Sequence, residues 1–186
     1  HLPVQSGSNK ILKKMNRKHT VEYYIDLIKK LRLSNPQIEF SSDFIIGYPG
    51  ETDKDFENTL KLLKEIQYIN SFSFIFSPRP GTPANKMKQV DHSVCKERLI
   101  LFQKSAKEIK MKFRKKLLNK KSLVLFENKL KQSNKYFGRD EYSNSVIVES
   151  SKDIKGKIIK VLINGANQNT LFGEIDDQLV KKEFAA

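Results

Sequence analysis

At 186 residues, 38% hydrophobic and with a formal net charge of +14, the chain suits one large or two small packed domains and asks for a polyanionic partner. It has no run of about 18 apolar residues for a membrane span and no basic-apolar-small leader for export. Its single cysteine, Cys95, excludes an internal disulfide and a cysteine-based metal cluster made by this chain alone, and agrees with a cytoplasmic setting.

The chain opens on His1 rather than Met, and Leu2-Pro3-Val4 reads as a strand running into a loop, so a longer parent protein is expected. Gln5-Ser6-Gly7-Ser8 follows. A glycine between hydroxyls offers N–H groups and short donors to a carboxylate or phosphate, or simply makes a polar turn. Residues 11–15 suit a short helix. Arg17 stands in the next loop, where its planar fork suits a ligand carboxylate or only solvent. Thr20 caps a helix to about residue 33, with Val21, Tyr24, Ile25, Ile28 and Leu31 on one face. Residues 38–46 read as a buried parallel strand whose carboxyl end opens onto a pocket at Gly47 and Gly50. Asp43 in that strand is either a hydrogen-bond hub or a ligand contact, because a buried carboxylate needs partners. Thr52 caps a helix over about 53–66, with Asp55 as the acidic member of a capping box. Residues 71–77 alternate at period two, as a strand does. Pro78, Pro80, Gly81 and Pro83 then stiffen a loop that carries Arg79, either as a binding loop or as a plain connector.

A long helix is expected over about 93–118, with Leu99, Phe102, Ala106, Ile109, Phe113 and Leu117 at three- and four-residue steps. Between positions 96 and 121 eleven Lys or Arg stand against two Glu. That run is either a solvated helix face or a surface for phosphates. The alternation of strands and helices implies parallel strands joined by right-handed crossovers. About three strands are too few to close a barrel, so the rest of the sheet is expected upstream. Near residue 119 the pattern changes to short strands at close spacing: 122–127, 136–138, 145–149, 157–163 and 170–174. They predict a small antiparallel barrel of about 60 residues. The expected domains are therefore 1–118, 119–176 and a polar tail, 177–186. Tyr136, Phe137, Arg139 and Tyr142 join aromatic faces to positive charge, as single-stranded RNA binding requires, although some of these rings are expected in the barrel core. His1, His19 and His92 show no metal-ligand spacing, and no Ser-His-Asp set or P-loop is present.

Several segments together resemble the radical-SAM methylthiotransferases. They are His1-Leu-Pro-Val-Gln-Ser-Gly-Ser8, Met15-x-Arg17-x-x-Thr20, the run 41–52, and Phe74-Ile-Phe-Ser-Pro-Arg-Pro-Gly-Thr-Pro-Ala84. The end of the chain resembles a TRAM domain in Phe137-Gly-Arg139-Asp140, Val146-Ile-Val148, Gly156 and Leu171-x-Gly-Glu174. The resemblance implies an α/β chain: the later half of a partial (β/α)6 barrel followed by an OB-like RNA-binding barrel. It implies S-adenosyl-L-methionine held by Gln5, Ser6, Arg17, Asp43, Ile46 and Gly47. It implies RNA contacts from Arg79, Lys121, Tyr136, Phe137, Arg139 and Tyr142. Two 4Fe–4S clusters belong to such enzymes, but their cysteines are absent here, so no catalytic or metal-ligating residue is assigned and the chain alone is expected to be inactive. The implied reaction adds a methylthio group to C2 of a dimethylallyl-adenosine beside a tRNA anticodon, with tRNA and an electron donor as partners and no DNA or membrane. The alternatives are a threonylcarbamoyl-adenosine tRNA enzyme or a non-catalytic RNA-binding module.

Overall fold

The computed structural model describes residues 1–131 and 133–176, so the tail expected over 177–186 lies outside the described residues. The chain packs as two units, residues 1–110 and 111–186, and the division falls inside a helix.

In the first unit, helices α1 (Asn9–Lys14), α2 (Val21–Ser34) and α3 (Asp53–Ile66) alternate with strands β1 (Ser41–Ile46) and β2 (Asn70–Ile75). Helix α4 (His92–Lys116) begins in this unit. The two strands run parallel, with Asp43 opposite Phe72 and Ile45 opposite Phe74. The expected strand at the chain's start is shorter than a full ladder. Segment 2–5 runs parallel to β1, and only Gln5 forms a bridge, to Phe44. Its amides bond across: Leu2 N to Ser41 O at 2.9 Å and Gln5 N to Asp43 O at 3.0 Å.

Local chemistry sets the helix ends. Thr20 accepts from the Tyr23 amide to start α2, and Thr52 with Asp55 forms the full capping box of α3. The apolar stripes of all three longer helices meet one face of the sheet. Val4, Tyr24, Ile28, Phe44, Ile46, Phe56, Leu63, Tyr68, Phe102 and Ile109 form this core. Burial along β1 alternates strictly, so the strand is not buried on both faces as its sequence suggests. Ser42, Phe44 and Ile46 face the helices, while Ser41, Asp43 and Ile45 face the other way.

The second unit is a closed barrel of five strands: β3 (Lys121–Lys129), β4 (Lys135–Asp140), β5 (Ser145–Glu149), β6 (Ile158–Ala166) and β7 (Thr170–Ile175). The order is β3-β4-β5-β7-β6, and β6 pairs back to β3. The barrel is not wholly antiparallel, because β5 and β7 run parallel. Alternate residues point inward, including Val124, Phe126, Tyr136, Val146, Val148, Val161, Ile163 and Leu171. Phe113 and Leu117 join this core, whereas Phe102 and Ile109 of the same stripe belong to the first.

Arg114, in the last turn of α4, is 2% exposed. Its guanidinium donates to the carbonyls of Asn167 (3.1 Å), Gln168 and Asn169 (3.1 Å), and its Nε to Asn144 Oδ1 (3.3 Å). Burial pulls its pKa down, and the nearby Asp140 charge opposes that. Asp140 in turn accepts from the Tyr142 and Asn144 amides and from the Asn144 side chain. One cation thus ties the β6–β7 turn to the β4–β5 turn. Arg114→Met removes donors from three carbonyls and is expected to lower barrel stability by about 3 kcal/mol. The exposed Lys115→Met stays within about 0.5 kcal/mol. Urea denaturation of the two variants checks the difference.

Candidate functional site

The first unit has one covered and one open sheet face. On the open face the register brings together Asp43 and Ile45 of β1 with Phe72 and Phe74 of β2. Phe72 and Phe74 are 51% and 59% exposed. His1 lies edge-on to Phe72 and sets its Nε2 3.4 Å from Asp43 Oδ1. Gln5 lies beside strand β1, opposite Phe44. It is buried at a positive φ of 74°, and its side-chain amide has no hydrogen-bond partner among the described residues. Polar Asp43 beside apolar Ile45 and two rings makes a surface suited to a ligand with a charged end and a planar end.

The loop leading into the site is held rigidly. Gly7 packs so tightly on α3 that a Cβ there would overlap the backbone of Asn58 and Thr59, and its amide donates to Thr59 Oγ1 at 3.0 Å. The Ser6 hydroxyl lies 3.4 Å from Thr59 Oγ1 and accepts from the Ser8 amide. Ser6 is therefore committed to the loop's own packing. Ser8 Oγ donates to Asp55 Oδ1 at 2.7 Å, and Lys10 Nζ reaches Asp55 Oδ2 at 2.8 Å. The second Asp55 oxygen also receives the amide and hydroxyl of Thr52. Burial alone would raise the Asp55 pKa, but the Lys10, Ser8 and Thr52 donors reverse that and hold the carboxyl well below the usual carboxylate range.

The tip of β1 is fixed from the other side. Glu51 Oε1 accepts from the Gly47 amide at 3.0 Å and from Arg98 Nη1 at 2.8 Å, while Arg98 Nη2 meets Asp53 at 2.7 Å. Burial pushes the Glu51 carboxyl up, against the pull of Gly47 and Arg98. Gly47 has φ +74°, and a Cβ at this position would run into the Cys95 sulfur. The helix side of both expected cofactor positions is filled. Ile46 turns its side chain into the helix-side core, and Gly47 meets Cys95 and Glu51 instead of an open cleft. Ile45, one residue earlier, is the one on the open face. Arg17 is exposed after α1, its amide donates to Leu12 O at 2.9 Å, and its guanidinium has no partner among the described residues. No contact joins Arg17 to Gln5 or Asp43.

Arg79 is exposed at the start of a turn in which Thr82 bonds back to the Arg79 carbonyl across Pro80 and Gly81. That loop continues into a 3₁₀ turn, Pro83–Lys86, and Ala84 packs with Ile11 and Tyr48. In the barrel, Tyr136 is a core residue and not a stacking platform. Its ring is crossed by Lys129 at 5.6 Å. Phe137 is partly exposed beneath Arg139, whose guanidinium lies 5.5 Å from the ring centroid and 3.3 Å from Glu127. Tyr142 packs edge-on against Phe113, and Lys121 pairs with Asp176 at 2.6 Å. Sequence reasoning missed the roles of Glu51, Arg98 and Arg114. The available signal was an arginine, not a lysine, at each buried cationic position.

Residues 1–63 match the model of the Radical SAM superfamily. The chain is 52% identical over 182 residues to a protein of Pelagibacter ubique named tRNA-2-methylthio-N(6)-dimethylallyladenosine synthase, covering 98% of this chain and 41% of that one. Proteins of the same name from Wolbachia pipientis of Culex pipiens and from Rickettsia rickettsii are 49% and 46% identical. Those matches cover 93% and 94% of this chain and 40% of each relative. The chain thus spans about two-fifths of the length of the curated relatives it matches. Among the described residues no cluster of His, Cys, Asp or Glu is placed to hold a metal ion, and no helix is long and apolar enough to cross a membrane.

Because the folded carboxyl of Asp55 ionises below the unfolded value of about 3.9, its stabilisation is present above that pH and is lost as pH falls toward the folded value. Asp55→Asn is expected to lose about 2 kcal/mol at pH 7 and to converge on the wild type in acid. Urea denaturation between neutral and acidic pH measures both.

Proposed function

We propose that this chain, which belongs to the radical SAM methylthiotransferases, is the cofactor- and RNA-holding portion of an enzyme that methylthiolates dimethylallyl-adenosine in tRNA. The observation that carries the reading is similarity to synthases of that name along nearly the whole chain, at about half identity. In this reading segment 2–5, β1 and β2 are the last strands of a partial (β/α)6 barrel, with earlier strands supplied by the parent protein. The domains run 1–118 and 119–176, and the second is the TRAM-type RNA-binding barrel. Cytoplasmic tRNA and a reductant are its partners.

The open sheet face fits S-adenosyl-L-methionine in chemistry. Gln5 offers amide donors and an acceptor to the amino-acid end, Asp43 offers an anion for the ammonium, and Ile45 offers apolar surface to the adenine. Arg17 has a free fork to offer a carboxylate. The iron–sulfur groups do not fit in this chain: a 4Fe–4S cluster takes four thiolates, and Cys95 is one thiol wedged against Gly47. Their ligands come from the parent's other segments. When bound, the cofactor supplies a radical that takes a hydrogen from an otherwise unreactive carbon. The residues here hold it in one pose and exclude water from it, since a small misplacement would waste the radical. The rigid Ser6–Gly7–Ser8 turn and the Glu51–Arg98 brace serve that positioning. Arg79 and its proline-stiffened turn border the nucleoside, and Lys121, Phe137, Arg139 and Tyr142 face the tRNA backbone.

The parent enzyme, with its clusters assembled, is expected to convert dimethylallyl-adenosine tRNA to its 2-methylthio form, detected by mass spectrometry of nucleosides. Product on threonylcarbamoyl-adenosine tRNA alone would overturn the substrate assignment. Arg17→Ala is expected to weaken S-adenosyl-L-methionine binding by about tenfold or more in calorimetric titration. Unchanged affinity would remove Arg17 from the site.

A further inference from the structure

A groove of about 650 Å³ runs along the outer edge of β2, between that strand and α4. Residues 70–74 form one wall, and Ile100, Gln103, Lys104 and Lys107 form the other. Three features of this groove have no role in the packing of the unit. Strand β2 pairs only with β1 among the described residues, so its second edge carries no neighbouring strand. Phe72 and Phe74 stand exposed on successive same-face positions of that edge. Lys104 and Lys107, one helical turn apart on α4, make no ion pair or hydrogen bond among the described residues.

We infer that this groove is a track for single-stranded RNA, in which bases stack on Phe72 and Phe74 and phosphates meet Lys104 and Lys107. The inference rests on the tRNA-modifying reading above and names the surface that takes the loop strand next to the modified nucleotide. Charge decides the occupant. An extended peptide added to β2 would also use the free edge, but the lysines across the groove favour a polyanion over a neutral strand. Cations spaced along a groove beside exposed rings are the arrangement that binds single strands without reading sequence. Same-face positions on a strand are about 6.6 Å apart, close to twice the roughly 3.4 Å rise between stacked bases. The two rings can therefore serve consecutive or alternate bases of one strand.

The test uses the 186-residue chain and a fluorescent anticodon stem-loop RNA, with anisotropy titrations over a salt series. Wild type is compared with Phe72→Ala/Phe74→Ala and Lys104→Gln/Lys107→Gln. These side chains are solvent-facing, and circular dichroism and thermal melts confirm that the variants keep the wild-type fold. The double phenylalanine variant is expected to bind about tenfold more weakly or worse, with its salt slope unchanged. The double lysine variant is expected to flatten the slope of log affinity against log salt by about 1.4, two phosphates' worth on a single strand. A stem-loop carrying 4-thiouridine in the loop is expected to cross-link to peptides holding residues 70–75 and 103–110. Wild-type binding that neither variant changes, with cross-links confined to the barrel, overturns the groove while leaving the tRNA reading intact. Absence of RNA binding by the wild-type chain overturns both. Saturable binding of an extended acidic peptide at the groove, with RNA excluded, overturns the RNA assignment in favour of a protein partner. In the longer parent, cross-links only to residues outside this chain overturn it in favour of the parent's own segments.

Discussion

The carboxylate of Asp55 organises the first unit. It completes the cap of α3 through Thr52, and the same two oxygens take the hydroxyl of Ser8, in the loop that follows segment 2–5, and the ammonium of Lys10 in the first turn of α1. A helix start and a site loop are thus joined by one group. The loop's other anchors, Gly7 against α3 and the Ser6–Thr59 contact, need that loop to lie flat on the helix. Once it does, Gln5 is forced into a positive φ beside β1. The backbone strain is local, and the surrounding hydrogen bonds over-determine it.

A second buried group fixes the tip of β1. Glu51 fastens the amide after β1 to Arg98 on α4, and Arg98 also lies over the Phe56 ring at 5.6 Å. The planar guanidinium presents two separate nitrogens to the two carboxylates and a flat face to the ring, which a lysine ammonium, a single point charge, does not. The net charge of +14 therefore has two components. Arg98 and Arg114 are interior cations satisfied by the fold, whereas Lys96, Lys104, Lys107, Lys112, Lys115 and Lys116 are exposed to solvent. Counting charge along the helix merges the two kinds, and burial separates them.

The sequence pattern was a good guide wherever a physical rule acts locally. Thr20 and Thr52 cap helices because a hydroxyl ahead of a helix has free amides to satisfy, and both appear where expected. All five barrel strands lie within a few residues of their predicted positions, because alternation and turn residues are visible without tertiary context. Facing is different. Whether Ile45 or Ile46 turns to the open side depends on which face the helices cover, and a run of apolar residues does not record it. Tyr136 beside Arg139 looks like an RNA platform in sequence, yet strand parity puts the ring inside the barrel and its neighbour Phe137 outside. Glu51 and Arg98 are 47 positions apart, and nothing local announces their pairing.

The place of β7 in the barrel has a kinetic consequence. It lies between β5 and β6 and pairs with both, parallel to one and antiparallel to the other. The four earlier strands can form at most an open curl, with β5 and β6 each missing a neighbour. During synthesis the barrel therefore stays unsealed until its last strand has left the ribosome. In that interval the edges of β5 and β6 are open to wrong partners.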